Sequence, residues 1–127
     1  MIDTSALLAI LFDEPERASF NRRLVADPVR LMSAANHLEA AIIIDDRAGE
    51  AGADGMRFYV VDAAIKIVPV TIDQIEVARA AYQRYGRGHH AARLNFGDCF
   101  AYALAKTRNE PLLFKGDDFS LTDLEPA

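Results

Sequence analysis

Nineteen of the 127 residues are acidic, and a few of these stand among apolar or small neighbours, where a solvated carboxylate fits poorly. Asp3 follows Met1-Ile2 and leads into Thr4-Ser5-Ala6-Leu7. Glu39 lies between Leu38 and Ala40-Ala41-Ile42, and Asp98 sits in Asn95-Phe96-Gly97-Asp98-Cys99-Phe100. The pair Asp117 and Asp118 follows the apolar run Leu112-Leu113-Phe114. Burying several carboxylates close together is costly unless protons or cations neutralise them. A divalent cation is the simplest counter-charge. The available ligands are all oxygens, with no Cys or His at zinc spacing, which favours a hard ion, Mg²⁺ or alternatively Mn²⁺. Because Mg²⁺ keeps several waters and uses one or two carboxylates plus phosphate oxygens, the implied chemistry is phosphodiester hydrolysis by a metal-activated water. Taken alone, Asp3 reads more readily as a helix N-cap. Most other acids, such as Asp13, Glu14, Asp45, Asp54 and Asp73, fall at helix ends or in polar runs, where solvation accounts for them.

The candidate acids need elements that carry them to one rim. Met1-Ile2 reads as the start of a first strand, Val29-Arg30-Leu31-Met32 as a second, Ile67-Val68-Pro69-Val70 as a third and Pro111-Leu112-Leu113-Phe114 as a fourth. Helical segments fall between them. A short one begins at Ala6, and another runs from Asp13-Glu14-Pro15 to about Ala26. A long helix is capped by Ser33 and stopped by Gly49, and a further one runs from Glu50 to about Ile65. Phe58-Tyr59-Val60-Val61 is apolar enough for a strand and is taken as helix. Thr71 and Gln74 are spaced as a capping box for a helix closed by Gly86, and a small-residue helix spans Cys99 to Lys106. This alternation predicts an α/β fold: one domain over 1–127, with a central parallel sheet of about four strands flanked by helices. Ligands of such sheets bind outside the carboxyl ends of the strands. Asp3 and the pair Asp117 and Asp118 lie directly there, and Glu39 and Asp98 lie near helix starts facing the same rim.

Composition narrows the function. A hydrophobic content of 51% with 26% charged residues excludes the disordered class. The single Cys99 cannot form an internal disulfide and reads as a core residue. The apolar run Ala6 to Phe12 is too short to span a bilayer and lacks a preceding Lys or Arg, so a cytoplasmic protein without membrane contact is expected. A net charge of -5 argues against wrapping a nucleic-acid duplex through charge alone. Distribution matters more than the sum. No acid lies between Glu76 and Asp98, whereas Arg79, Arg84, Arg87 and Arg93 fall there beside His89 and His90. Arg87 and Arg93, with Lys115 near the same rim, are candidates to hold substrate phosphates; the competing reading is a solvated loop.

The stretches Ile2-Asp3-Thr4-Ser5-Ala6-Leu7, His37-Leu38-Glu39-Ala40-Ala41, Asn95 through Ala105 and Leu113-Phe114-Lys115-Gly116-Asp117-Asp118-Phe119 together resemble PIN-domain ribonucleases, specifically the VapC-type toxins of toxin-antitoxin pairs. The match runs through the whole chain in order. The resemblance implies a PIN-like domain with Mg²⁺-dependent endoribonuclease activity, often on structured RNA such as tRNA. It implies inhibition by a small cognate VapB-type antitoxin, and a homodimer. Carried over by position, it makes Asp3, Glu39, Asp98 and Asp117 the catalytic acids. Asp3 and Asp98 are then the principal metal ligands, Glu39 a site carboxylate that orients water, and Asp117 the fourth acid, with Asp118 hydrogen-bonding the loop. Ser5 reads either as an orienting partner of the Asp3 carboxylate or as a helix cap. Leu8, Phe12, Phe20 and Leu24 are expected to form an apolar groove for an antitoxin helix.

Other readings are weaker. A phosphoacceptor signalling domain would need an Asp after the third strand, where the chain has Val70-Thr71. An Asp-nucleophile phosphatase would need a second Asp two residues after Asp3, where Ser5 stands. A non-catalytic PIN-fold interaction module is the serious alternative, and the presence of all four acidic positions counts against it.

Overall fold

Strands in this chain are cut short by residues that stop pairing. The computed structural model describes residues 1–127. Leu31–Ser33 (β1) and Lys66–Val68 (β2) pair in parallel, Leu31 opposite Lys66 and Ser33 opposite Val68. The segments around Ile2 and Leu113 run alongside but meet only in an isolated parallel bridge. The Ile2 N–H donates to the Leu31 carbonyl at 3.0 Å and the Asp3 N–H to the Leu113 carbonyl at 3.0 Å. The expected sheet of about four strands is thus reduced to two three-residue strands and flanking bridges. The reason is local: Asp3 and Ser33 turn at once into helix caps, while Pro69 and Pro111 have no N–H to offer a ladder.

The pleat nonetheless sorts side chains to two faces in all four segments. Met1, Leu31, Val68 and Leu112 pack into one core cluster, and Ile2, Met32, Ile67 and Leu113 into the other. This is the period of two that extended backbone imposes. Helices Thr4–Leu11 (α1), Arg17–Ala26 (α2) and Ala34–Asp62 (α3) cover the second face through Leu7, Ile10, Phe20, Leu24, Ile44 and Met56. Helices Ile72–Tyr85 (α4) and Phe96–Arg108 (α5) cover the first through Ala78, Ala81, Tyr85, Tyr102 and Leu104. Three layers result, helices on both sides of short parallel strands.

Several boundaries differ from the sequence reading. Helix α1 starts at Thr4, because Asp3 itself is the cap, and α2 starts only at Arg17, after Asp13 has taken a left-handed φ of 54°. Gly49 breaks α3 as expected, adopting φ 61° and ψ -151° inside an otherwise continuous helix. The Phe58 to Val61 run is helical. Thr71 Oγ1 accepts from the Gln74 N–H at 3.2 Å, but the reciprocal capping box forms at the start of α5, between Asn95 and Asp98. No helix is long and apolar enough to cross a membrane.

Candidate active site

Two readings of Asp3 coincide in the structure. It is the N-cap of α1, and its Oδ2 accepts both the Ser5 N–H at 3.0 Å and the Ser5 hydroxyl at 2.6 Å. It is also buried, only 3% exposed, at the rim where the first extended segment ends. Burial pushes its carboxyl up to about 6; the bonds from Ser5 oppose the rise and the charge of Glu39 adds to it. An ordinary exposed cap would not be shifted this way.

Asp98 is likewise both cap and candidate ligand. Asn95 Oδ1 accepts the Asp98 N–H at 2.8 Å while Asp98 Oδ2 accepts the Asn95 N–H at 2.9 Å. The box fixes the carboxylate at the first turn of α5 and leaves Oδ1 outside it. Burial pushes the Asp98 carboxyl up to about 7, against the bond from Asn95, and the negative charges of Asp3, Asp118 and Glu39 push it further. Asp3, Glu39, Asp98 and Asp118 therefore share one electrostatic neighbourhood.

Glu39 enters from the second turn of α3. Its Oε1 accepts the Thr4 hydroxyl at 2.5 Å, and the same hydroxyl lies 3.2 Å from the Asn36 carbonyl. On its other side the chain offers only a glycine: a Cβ at Gly97 would collide with the Glu39 carboxylate. The absence of a side chain there lets α5 approach α3.

The two adjacent candidates for the fourth acid, Asp117 and Asp118, are both exposed but differ in what they adjoin. Asp117 is exposed, with its carbonyl taken by the Ser120 N–H and hydroxyl. It is Asp118 whose charge acts on Asp98 and which lines a polar cleft of about 330 Å³ with Arg87, Arg93 and Asn95. Ser5 secures this loop as well as Asp3, since its Oγ accepts the Lys115 N–H at 2.9 Å. Lys115 is not free for a phosphate: its ammonium pairs with Glu14 at 3.1 Å and Glu16 at 3.4 Å.

The two arginines come together because the loop between α4 and α5 is pinched shut. Arg87 N–H donates to the Leu94 carbonyl at 2.9 Å and Leu94 N–H to the Tyr85 carbonyl at 3.0 Å. Arg87 and Arg93 then face one cleft, and neither makes an ion pair. His89 and His90 instead stand edge-on to Tyr82 and Tyr85.

The expected antitoxin groove is not where the sequence put it. Phe20 and Leu24 are buried, and Leu8 and Phe12 pack half-buried against the same core. Exposed apolar residues on this side are Val25 on α2 and Leu38, Ile42, Phe58 and Val61 on α3; Leu38 and Ile42, 60% and 52% exposed, lie four apart beside Glu39. Sequence reasoning also passed over Thr4, Asn36, Asn95 and Gly97. Asn95 had a visible signal, the Asn-x-x-Asp capping pattern; the roles of the others depend on contacts between elements.

No three Asp, Glu, His or Cys side chains converge closely enough to enclose a metal unaided. That donor set fits an ion that retains water and takes one or two carboxylates, and the raised affinity of Asp3 and Asp98 for protons marks a place where positive charge is wanted. Comparisons with known proteins identify the family. A family model described as PIN domain matches residues 1–124. Ribonuclease VapC of Mycolicibacterium smegmatis is 52% identical over 98% of this chain and 96% of its own length. Ribonuclease VapC30 of Mycobacterium tuberculosis is 51% identical over 98% of this chain and 95% of its own. Among solved structures, VapC20 of Mycobacterium tuberculosis, a Sarcin-Ricin loop cleaving toxin, superposes with a TM-score of 0.79 at 17% identity, covering 99% of this chain and 96% of that one. A toxin-antitoxin complex from Klebsiella pneumoniae matches with a TM-score of 0.68 at 21% identity, over 96% of this chain and 91% of that one. With a PIN model spanning its carboxylate rim and curated relatives sharing half its residues, the chain belongs to the PIN-domain family, in its VapC ribonuclease branch.

Proposed function

We propose that the protein is an endoribonuclease toxin that hydrolyses RNA with a bound Mg²⁺, Mn²⁺ substituting, and that a cognate antitoxin restrains it. The observation that carries this reading is the shared neighbourhood of Asp3, Asp98 and Glu39: burial pushes both aspartates up, the charge of Glu39 adds to the rise at Asp3, and the charges of Asp3, Asp118 and Glu39 add to it at Asp98. Asp3 and Asp98 would hold the cation, which when bound polarises a phosphate oxygen and lowers the pKa of water. Ser5 fixes the Asp3 carboxylate through Oδ2. Thr4 occupies Glu39 Oε1, leaving Oε2 to accept a hydrogen bond from the attacking water and orient it on phosphorus. Water adds to the phosphate and gives up a proton to solvent as the P–O bond to the departing ribose breaks, and the ribose oxygen leaves as a hydroxyl after taking a proton from solvent. Asp118, rather than Asp117, supplies the fourth carboxylate.

Arg87 and Arg93 would hold a phosphate flanking the scissile one, by charge-assisted hydrogen bonds from guanidinium groups that make no ion pair. Replacing both by Ala is expected to raise KM for RNA about tenfold, to flatten the dependence of binding on salt, and to change kcat little. A kcat loss with unchanged KM would remove them from substrate binding. The exposed Leu38 and Ile42 on α3 suit an apolar antitoxin segment. The apolar groove of Ile75, Tyr82, Phe96 and Phe100 between α4 and α5 suits a second copy of the chain.

The direct test is to incubate the antitoxin-free protein with total RNA in Mg²⁺, in Mn²⁺ and in chelator, and to map fragment ends. Discrete fragments with either metal and none with chelator are expected. Cleavage that persists undiminished in chelator would overturn the metal-dependent mechanism.

A further inference from the structure

Asn36 is fully buried, its side chain 0% exposed, in the first turn of α3. A buried amide is ordinarily retained only where its hydrogen bonds hold something. Its Nδ2 donates to the Gly97 carbonyl at 2.9 Å, and its own backbone carbonyl accepts from the Thr4 hydroxyl at 3.2 Å. Each bond ends one residue away from a candidate metal ligand: Thr4 follows Asp3, and Gly97 precedes Asp98. Glu39 lies three residues further along the same helix, on the same face. Asn36 Oδ1 has no partner, so internal satisfaction of the amide does not explain its burial. Gly97 completes the arrangement, because only a missing side chain lets the Asn36 amide draw α5 against Glu39.

We propose that Asn36 is a positioning residue: a buried clasp that ties the starts of α1, α3 and α5 together and sets the spacing of Asp3, Glu39 and Asp98 for a divalent cation. The inference rests on the metal-binding reading above. Hydrogen-bonded groups behind metal ligands typically govern affinity by about 10- to 100-fold. The test is Mn²⁺ binding measured by calorimetry without RNA, on the intact protein, for wild type, Asp98→Asn, Asn36→Ala, Asn36→Ser and Ser33→Ala. Ser33 is a matched control: it is equally buried and caps the same helix, accepting the Ala35 N–H at 3.3 Å, but it bonds to neither Thr4 nor Gly97.

Asn36→Ala is expected to weaken Mn²⁺ binding about 10- to 100-fold and to lower kcat while KM for RNA stays within about threefold. Ser33→Ala should lower the melting temperature yet leave Mn²⁺ binding unchanged. If Asn36→Ala does not fold, Asn36→Ser carries the same expectation, since it removes the Nδ2 donor to the Gly97 carbonyl and leaves the Thr4 bond to Glu39 in place. Unchanged Mn²⁺ affinity in the folded clasp variant, or an equal loss in Ser33→Ala, overturns the positioning role and leaves the metal site standing. Wild type that binds no Mn²⁺, or binds it as well as Asp98→Asn does, refutes the metal-binding reading and the clasp with it.

Discussion

Asp98→Asn is expected to lower the rate of RNA cleavage by about 1,000-fold or more while leaving the fold intact. Loss of metal-supplied charge stabilisation is worth several kcal/mol in the transition state, and each 1.36 kcal/mol is tenfold in rate. The fold should survive because the side-chain amide of Asn still offers an oxygen to the Asn95 N–H, so the capping box that starts α5 is retained. The contrast with Asp117→Asn is informative. That exposed residue does not press on Asp98, and its replacement should cost little, whereas Asp118→Asn should cost more. Single-turnover cleavage of a mapped RNA with circular dichroism on each variant checks all three. Near-wild-type activity in purified Asp98→Asn would remove the carboxylate from the chemistry.

The second large effect couples protons, metal and stability. Asp3 and Asp98 bind a proton more tightly in the folded protein, at about 6 and about 7, than at their ordinary value of 3.8. Their contribution to stability is therefore fully present below about pH 4 and is lost as pH rises through 6 and 7. In chelator, wild type should lose stability between pH 5 and pH 7.5 relative to Asp98→Asn, which has no proton to lose at that position. The Met1 ammonium, lowered mainly by its burial, contributes with the opposite sign, and it does so equally in both proteins. A gap in melting temperature that opens by about 5 °C or more in favour of Asp98→Asn is expected. Adding Mg²⁺ should close it at pH 7.5, where the carboxylates are free to bind, and do little at pH 5, where protons compete. Differential scanning fluorimetry over that range decides the matter. A gap that fails to open with pH, or a Mg²⁺ stabilisation equal at both ends, contradicts the shared-charge account of the rim.

Much of this site was legible because of a mismatch between residue and setting. Asp3, Glu39 and Asp98 each carried charge in a stretch whose neighbours were apolar, and the structure brings them into one electrostatic neighbourhood. Helix limits marked by local chemistry, at Ser33, Gly49, Thr71 and Gly86, also came through. What was hidden is non-local. Asn36 and Gly97 have meaning only once α3 meets α5, and their separation in sequence gives no hint of that contact. Asp117 and Asp118 could not be told apart because a loop has no periodicity to fix which side chain lies beside Asp98 and the arginines. Leu8, Phe12, Phe20 and Leu24 looked surplus to one sheet face because the second core cluster, extending under α2 and α3, was not visible in a linear reading. Strand lengths were overestimated for a related reason: apolar runs continue past the residues where caps and prolines end the pairing.

The bond from the Leu113 N–H to the Met1 carbonyl, 2.8 Å long, and that from the Asp3 N–H to the Leu113 carbonyl join the two ends of the polypeptide. Closing so long a loop delays such a contact until late in folding. Asp3 cannot settle at the rim until the segment around Leu113, more than a hundred residues away in sequence, has reached it. The rim that gathers the candidate carboxylates is therefore completed late in folding, after the local helices that carry them have formed.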